Sequence, residues 1–160
     1  MTKNIEKMMV TPWKVRGVID YAKLIEQFGV QPMTPNLVER IAKHAGYVHL
    51  QLRRGIYLSH RDVDWWLSEH EKGNRVGLYT GRGPSGHVHL GHLLPWFFCK
   101  YLQDAFDTDL YFQMTDDEKF VFGDRLTLDQ TIGYTYDNAL DVIACGLDAE
   151  KTHIFSDTDH

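Results

Sequence analysis

One hundred and sixty residues, 43% of them hydrophobic, suffice for one packed domain, or for a small appendage joined to part of a larger one. Seventeen basic against 22 acidic side chains give a formal net charge of −5, which excludes a protein that coats nucleic acid and leaves room only for a local phosphate-touching patch. No apolar run approaches the ~18 residues of a membrane span and no signal-peptide core opens the chain, while Cys99 and Cys145 stand far apart in apolar helical patterns; the expectation is a reduced, cytoplasmic protein without a disulfide framework, a metal knuckle or membrane contact.

The chain reads as two unequal segments with a soft boundary at Glu71-Lys72-Gly73-Asn74-Arg75. In the first (residues 1–75), short helices dominate. Asp20 caps a helix through Phe28, closed by Gly29. Thr34-Pro35 opens a second, whose apolar positions Leu37, Val38, Ile41, Ala42 and Ala45 follow the helical period up to Gly46. His49 to Leu58 reads as extended. Ser59, with Asp62 three residues on, then starts a helix carrying Val63, Trp66 and Leu67. So small a segment buries little area alone and is expected to pack on something else.

From residue 76 the grammar changes. Val76 to Thr80 is a strand, Gly81 to Gly86 a Gly-rich loop, and about His92 to Phe106 a long apolar helix. Asp109 to Thr115 gives a second strand. Thr127-Leu128-Asp129-Gln130 is a capping box before a helix that Gly146 closes, and Thr152 to Ser156 is a third strand. Strands and helices alternating at these lengths predict an α/β fold: a Rossmann-like parallel βαβαβ sheet with right-handed crossovers. Three parallel strands with an open edge are the expectation for part of a larger sheet.

Ligands of such sheets bind at the carboxyl ends of the strands, near a helix N-terminus, which is where Thr80 to His92 falls. Gly81, Gly83, Gly86 and Gly91 allow close backbone approach, and the unpaired N–H groups of the helix start suit phosphate. His89 and His92 are three apart, point the same way at the start of the helix, and can stabilise charge on phosphate oxygens. The lost hydrogen bond of Pro95 falls on the carbonyl of Gly91, in the first turn. The other readings of His87, His89 and His92 are a solvated loop or a zinc site; the absence of a supporting Cys and the Gly-rich loop after a strand favour phosphate over metal. At the end of the second strand lies Gln113-Met114-Thr115-Asp116-Asp117-Glu118-Lys119. Asp116 and Asp117 suit an ordinary acidic helix start as well as a ligand site. Gln113 and Tyr79 lie inside apolar strands and need polar partners, at the same edge of the sheet as the histidines.

Taken together these residues resemble the class I aminoacyl-tRNA synthetases, and among them the tryptophanyl enzymes of eukaryotic and archaeal type. His89-Leu90-Gly91-His92 is similar to the class's first signature. Leu78-Tyr79-Thr80-Gly81-Arg82-Gly83-Pro84-Ser85 and Gln113 to Phe120 resemble the family's own motifs, as do Leu126 to Gln130 and Ile154 to Asp157. The first segment resembles the extension that precedes the catalytic domain, in Val10-Thr11-Pro12-Trp13 and Leu52 to Asp62. The resemblance implies residues 76–160 as the first half of the catalytic domain, and a ligase that activates tryptophan with ATP and Mg²⁺ and passes it to tRNA. It implies Tyr79 and Gln113 facing the indole N–H, and Thr115 and Glu118 holding the amino acid. It implies Thr80, Gly81, Arg82, Gly83, His89, Gly91 and His92 serving ATP, with His89, His92 and Arg82 catalytic, and a homodimer.

The second class signature, a lysine-rich loop that grips the leaving pyrophosphate, is absent from these residues. So are the second half of the Rossmann fold and the helical anticodon-binding domain, and the resemblance implies a native protein more than twice this length. Three other readings stand beside this one: a tyrosyl synthetase, a small nucleotidylyltransferase with its own His-x-Gly-His, and a non-catalytic synthetase-derived binding fragment. The cluster from Asp116 to Lys119 speaks against the nucleotidylyltransferase, and the intact motifs against the binding fragment. Arg53 and Arg54 are read equally as phosphate contacts or as partners of acidic neighbours.

Overall fold

A computed structural model describes residues 9–11, 14–16, 20–122 and 126–159; Pro12 and Trp13 of the first matching run lie outside them. The first segment opens with an antiparallel pair the sequence did not predict, β1 (Met9–Thr11) and β2 (Lys14–Arg16). Helix α1 (Tyr21–Phe28) is capped by Asp20, which accepts the Lys23 N–H at 3.2 Å, and is closed by Gly29. After β3 (Gln31–Pro32), helix α2 (Pro35–Ala45) starts where Thr34 accepts the Leu37 N–H and ends at Gly46. All four boundaries fall where cap chemistry puts them.

Two expectations for this segment are corrected. His49–Leu58 is not extended throughout, because Leu50–Arg53 forms a short helix, α3. His49 Nδ1 accepts the Gln51 N–H at 3.3 Å, and Gln51 and Leu52 turn inward. A histidine acting as an N-cap is not a signal that apolar periodicity carries. Ser59 does not start the next helix either. It pairs with Pro32 in β4 (Ser59–His60), and α4 (Val63–Glu71) begins after Asp62, with His60 Nδ1 accepting the Val63 N–H.

Next comes the parallel sheet. β5 (Gly77–Arg82) leads to α5 (Leu90–Phe106) and β6 (Asp109–Met114). The short α6 (Asp116–Val121) and the long α7 (Leu128–Ala144) lead to β7 (Thr152–Ser156) and a 3₁₀ turn, Asp157–Asp159. The strands lie in the order β5-β6-β7, parallel throughout. The capping box at Thr127 is present in both directions, Gln130 N–H to Thr127 Oγ1 and Thr127 N–H to Gln130 Oε1. The strand before the Gly-rich loop is longer than predicted, since Gly81 and Arg82 pair with Gln113 and Met114. Helix α5 starts at Leu90 and not His92, which places Pro95 beyond its first turn.

Alternation along β6 decides which face of the sheet is covered. Leu110, Phe112 and Met114 are fully buried, and Phe112 and Met114 pack with Trp96 of α5 and Val142 of α7. The opposite face carries Tyr79, Tyr111 and Gln113, and there Tyr79 is 68% exposed. The first segment packs on α5, as its small size requires: Leu37, Ile41, Leu52 and Leu67 share one apolar cluster with Tyr101 and Phe106. Trp66 Nε1–H reaches past it to the Gly77 carbonyl at the start of β5, at 3.1 Å. Cys99 and Cys145 are free thiols, and burial pushes the Cys99 thiol up to about 11.

Candidate active site

The turn His89-Leu90-Gly91-His92 builds its own cap. His89 Nδ1 accepts the Gly91 N–H and His92 Nδ1 accepts the His89 N–H, both at 3.1 Å, with the rings 3.8 Å apart. An Nδ1 that accepts leaves the proton of a neutral imidazole on Nε2, so each ring presents an Nε2–H donor away from its own backbone. Partial burial, then the charge of Arg82, then the neighbouring His89 hold the His92 imidazole below its ordinary value. The turn therefore favours a neutral His92 that donates one hydrogen bond.

Arg82, the last residue of β5, stands beside this turn. Its Nε–H donates to Asn138 Oδ1 on α7 at 3.0 Å. Burial lowers its pKa, but from a value that keeps a guanidinium charged. Gly83 follows at the sheet's end, where a Cβ would lie 2.1 Å from Lys119 Cε and 3.3 Å from Thr115 Oγ1. The β6–α6 corner thus packs close against the loop, and a side chain there would displace the flexible end of Lys119. Thr80 turns the other way, toward α5, where its hydroxyl meets the Cys99 thiol.

A second group occupies the bare face. The Tyr79 hydroxyl donates to Gln113 Oε1, and Gln113 Nε2–H donates to Asp157 Oδ1 at 2.6 Å. Asp157 is in turn fixed by Asp116, which is 1% exposed and accepts from the Asp157 N–H, the Thr158 N–H and the Thr158 hydroxyl. The amide of Gln113 consequently has one orientation, with its oxygen toward Tyr79. Gly81 sits directly opposite Gln113; a Cβ there would be 2.7 Å from the Gln113 carbonyl oxygen, closer than any side chain tolerates. Thr115 Oγ1–H donates to Glu118 Oε2 at 3.3 Å, and Glu118 lies 3.5 Å from Lys119 Nζ. Among the described residues no three His, Cys, Asp or Glu side chains form a metal-binding group, and no helix is long and apolar enough to cross a membrane.

Nearly all of the chain aligns with proteins of one kind. The ligase named tryptophan–tRNA ligase of Pyrobaculum arsenaticum is 49% identical over 153 residues, which is 96% of this chain and 41% of that protein. The tryptophanyl-tRNA synthetase of Plasmodium falciparum superposes with a TM-score of 0.84 at 45% identity, over 88% of this chain and 39% of that one. The chain is a homologue of tryptophan–tRNA ligases. The enzyme of Encephalitozoon cuniculi, solved bound to tryptophan, superposes with a TM-score of 0.81 at 41% identity, over 88% of this chain and 42% of that one. No protein-family profile matches the chain. The chain spans about two fifths of the length of the curated relatives it matches, and its fold is the Rossmann-like fold of these synthetases.

Against that background, three groups at the site were not given their structural partners by the sequence. Asp157 closes a run similar to the family's, but nothing in its spacing points to Gln113, 44 residues away. Asp116 was balanced between helix start and ligand, and its burial places it in a structural role. Asn138 sits in the middle of an ordinary amphipathic helix; its spacing from Tyr134 and Asp137 is the one available clue.

Proposed function

We propose that the protein carrying this chain is a cytoplasmic tryptophan–tRNA ligase, with this chain supplying one half of the active site. The carrying observation is the pair Tyr79–Gln113, oriented through Asp157 on the open face of the sheet. An amide oxygen and a phenol oxygen held side by side form a fixed acceptor for an indole N–H. Once the substrate covers it, an acceptor of this kind rejects substrates lacking the donor by ~10⁴-fold when well built. Thr115 and Glu118, one turn beyond, supply an acceptor and a negative charge for the substrate ammonium.

ATP belongs at the carboxyl end of β5, beside the Tyr79–Gln113 pair and over the α5 N-terminus. The Nε2–H donors of His89 and His92 and the guanidinium of Arg82 stand there for one negatively charged group, at the positive end of the α5 dipole. Thr80, Gly81, Gly83 and Gly91 give that corner its close-set backbone. A tryptophan carboxylate oxygen attacks the α-phosphorus; the new oxygen–phosphorus bond forms as the bond to the β-phosphate bridge breaks, and pyrophosphate leaves with the electron pair. His89, His92 and Arg82 stabilise the charge that shifts onto phosphate oxygens, and no residue of this chain acts as a covalent nucleophile. Mg²⁺ enters with the triphosphate and neutralises part of its charge. A hydroxyl of the terminal tRNA ribose then attacks the aminoacyl carbonyl, the acyl–phosphate bond breaks and AMP leaves, in a protein that pairs as a homodimer. The division at residues 75 and 76 separates the extension, which braces α5 and β5, from the strands that bear substrate contacts.

The test is amino-acid-dependent ATP–pyrophosphate exchange with the full-length protein. Exchange with tryptophan and none with tyrosine is expected; exchange with tyrosine alone would replace this reading with its sister enzyme.

A further inference from the structure

The Gly86 end of the Gly-rich loop, and His87 after it, are held by one face of α7. Three residues of that helix, at spacings of three and four, reach them. Tyr134 meets the His87 ring edge-on at 5.5 Å, Asp137 Oδ2 lies 2.9 Å from His87 Nδ1, and Asn138 makes the deepest contact. Asn138 is fully buried. Its Oδ1 accepts the Arg82 Nε–H and its Nδ2–H donates to the Gly86 carbonyl, each at 3.0 Å. Turning the amide over would set donor against donor and acceptor against acceptor, so its orientation is unique.

We infer that Asn138 is the positioning residue of the nucleotide site: one buried amide fixes both the Arg82 guanidinium and the Gly86 end of the phosphate loop. The inference rests on the reading of Arg82 as an ATP contact. The atom that Asn138 takes is Nε, and among the described residues no hydrogen bond or ion pair engages the two terminal nitrogens of Arg82. They are left as a fork suited to two oxygens of one phosphate. The partner is also neutral. A carboxylate at 138 would hold the same nitrogen while offsetting the charge meant for ATP, and it would lose the donor to Gly86. Because the amide is shared between strand end and loop, the cationic group and the backbone cradle cannot shift independently. A buried polar group in such a bridge also leaves two orphaned partners if removed, which makes the arrangement sensitive to a single side chain.

The experiment uses the full-length protein in tryptophan-dependent pyrophosphate exchange, with Arg82→Ala, Asn138→Ala and the double variant. Asn138→Ala is expected to raise KM for ATP about tenfold or more while KM for tryptophan stays within about twofold. The double variant is expected to fall clearly short of the product of the two single effects, since the part of the Asn138→Ala effect that acts through Arg82 is already lost in Arg82→Ala, and only the Gly86 contact remains to be removed. If the two single effects multiply, or if Asn138→Ala leaves KM for ATP unchanged while Arg82→Ala raises it, the positioning role is overturned and the reading of Arg82 stands. If Arg82→Ala itself leaves ATP kinetics unmoved, the reading of Arg82 fails and takes the inference with it. Should Asn138→Ala not fold, Asn138→Asp, of nearly equal volume, carries the test. A several-fold rise in KM for ATP alone is expected of it; equal rises for both substrates, or none, would overturn the proposal.

Discussion

His89 and His92 are held by backbone groups two and three residues away, in a turn that caps itself. Tyr79 and Gln113 are held across the sheet, by partners 34 and 44 residues distant, and the last of these depends on a buried aspartate in yet another element. The first corner is a property of a short peptide placed after a strand. The second exists only when three strands are in register. The difference has consequences for substitution: the histidine turn should respond locally and modestly, whereas the Tyr79–Gln113 corner should fail as a unit.

The largest effect is expected where the two corners share backbone. In Gly81→Val the new side chain meets the Gln113 carbonyl, and β5 and β6 must part at the residues that carry Tyr79 and Gln113. Calorimetry should show stability reduced by roughly 3 kcal/mol, with tryptophan binding lost; a variant that melts and binds normally would break the account of the register. Asp116→Ala comes next. It strands the Asp157 and Thr158 N–H groups and the Thr158 hydroxyl, at a cost of about 2–3 kcal/mol in urea unfolding, and Asp157 then ceases to orient Gln113. KM for tryptophan should rise with KM for ATP little changed, and a uniform change in both would show that the relay ends short of the substrate.

Much of the geometry of the histidine turn and the loop before it was legible beforehand because its signals are local. A strand, a Gly-rich stretch and His-x-Gly-His follow one another within 16 residues, and cap residues such as Thr34, Thr127 and Gly46 mark the helices by their own chemistry. The places that misled are those where histidine does the capping. His49 and His60 accept backbone N–H groups through Nδ1, so a run with strand-like composition becomes α3 and the apparent start at Ser59 moves to Asp62. Gly81 and Arg82 were read as loop, yet the parallel register with Gln113 and Met114 extends the strand over them. Asn138 was beyond reach for a different reason. Its partners lie 52 and 56 residues away, and only the packing of α7 against the sheet brings them together.

Tyr79→Phe is a smaller perturbation of the Tyr79–Gln113 corner. It removes the hydroxyl that Gln113 accepts from and should raise KM for tryptophan by about tenfold, leaving KM for ATP within twofold in pyrophosphate exchange. The histidine turn gives the smallest effect. His92 titrates below the ordinary imidazole value of about 6.5, so between its folded pKa and 6.5 the unfolded chain binds more protons. Stability should therefore fall as pH drops through 6.5 and level off below the folded value. Thermal unfolding between pH 7.5 and 5 should show that limb reduced in His92→Gln, which cannot take up the proton; an unchanged limb would mean that His92 keeps its cap while protonated.

The claim that the Tyr79–Gln113 pair reads an indole N–H has a direct measurement. Titration of the full-length protein with tryptophan and with its benzothiophene analogue, in which sulfur replaces the ring N–H at nearly the same size, isolates that one hydrogen bond. The account predicts tryptophan bound at least ~10²-fold more tightly, with ~10⁴-fold the discrimination of a well-built site, and most of the preference lost in Gln113→Leu. Equal affinity for the two ligands in the unsubstituted protein would contradict it.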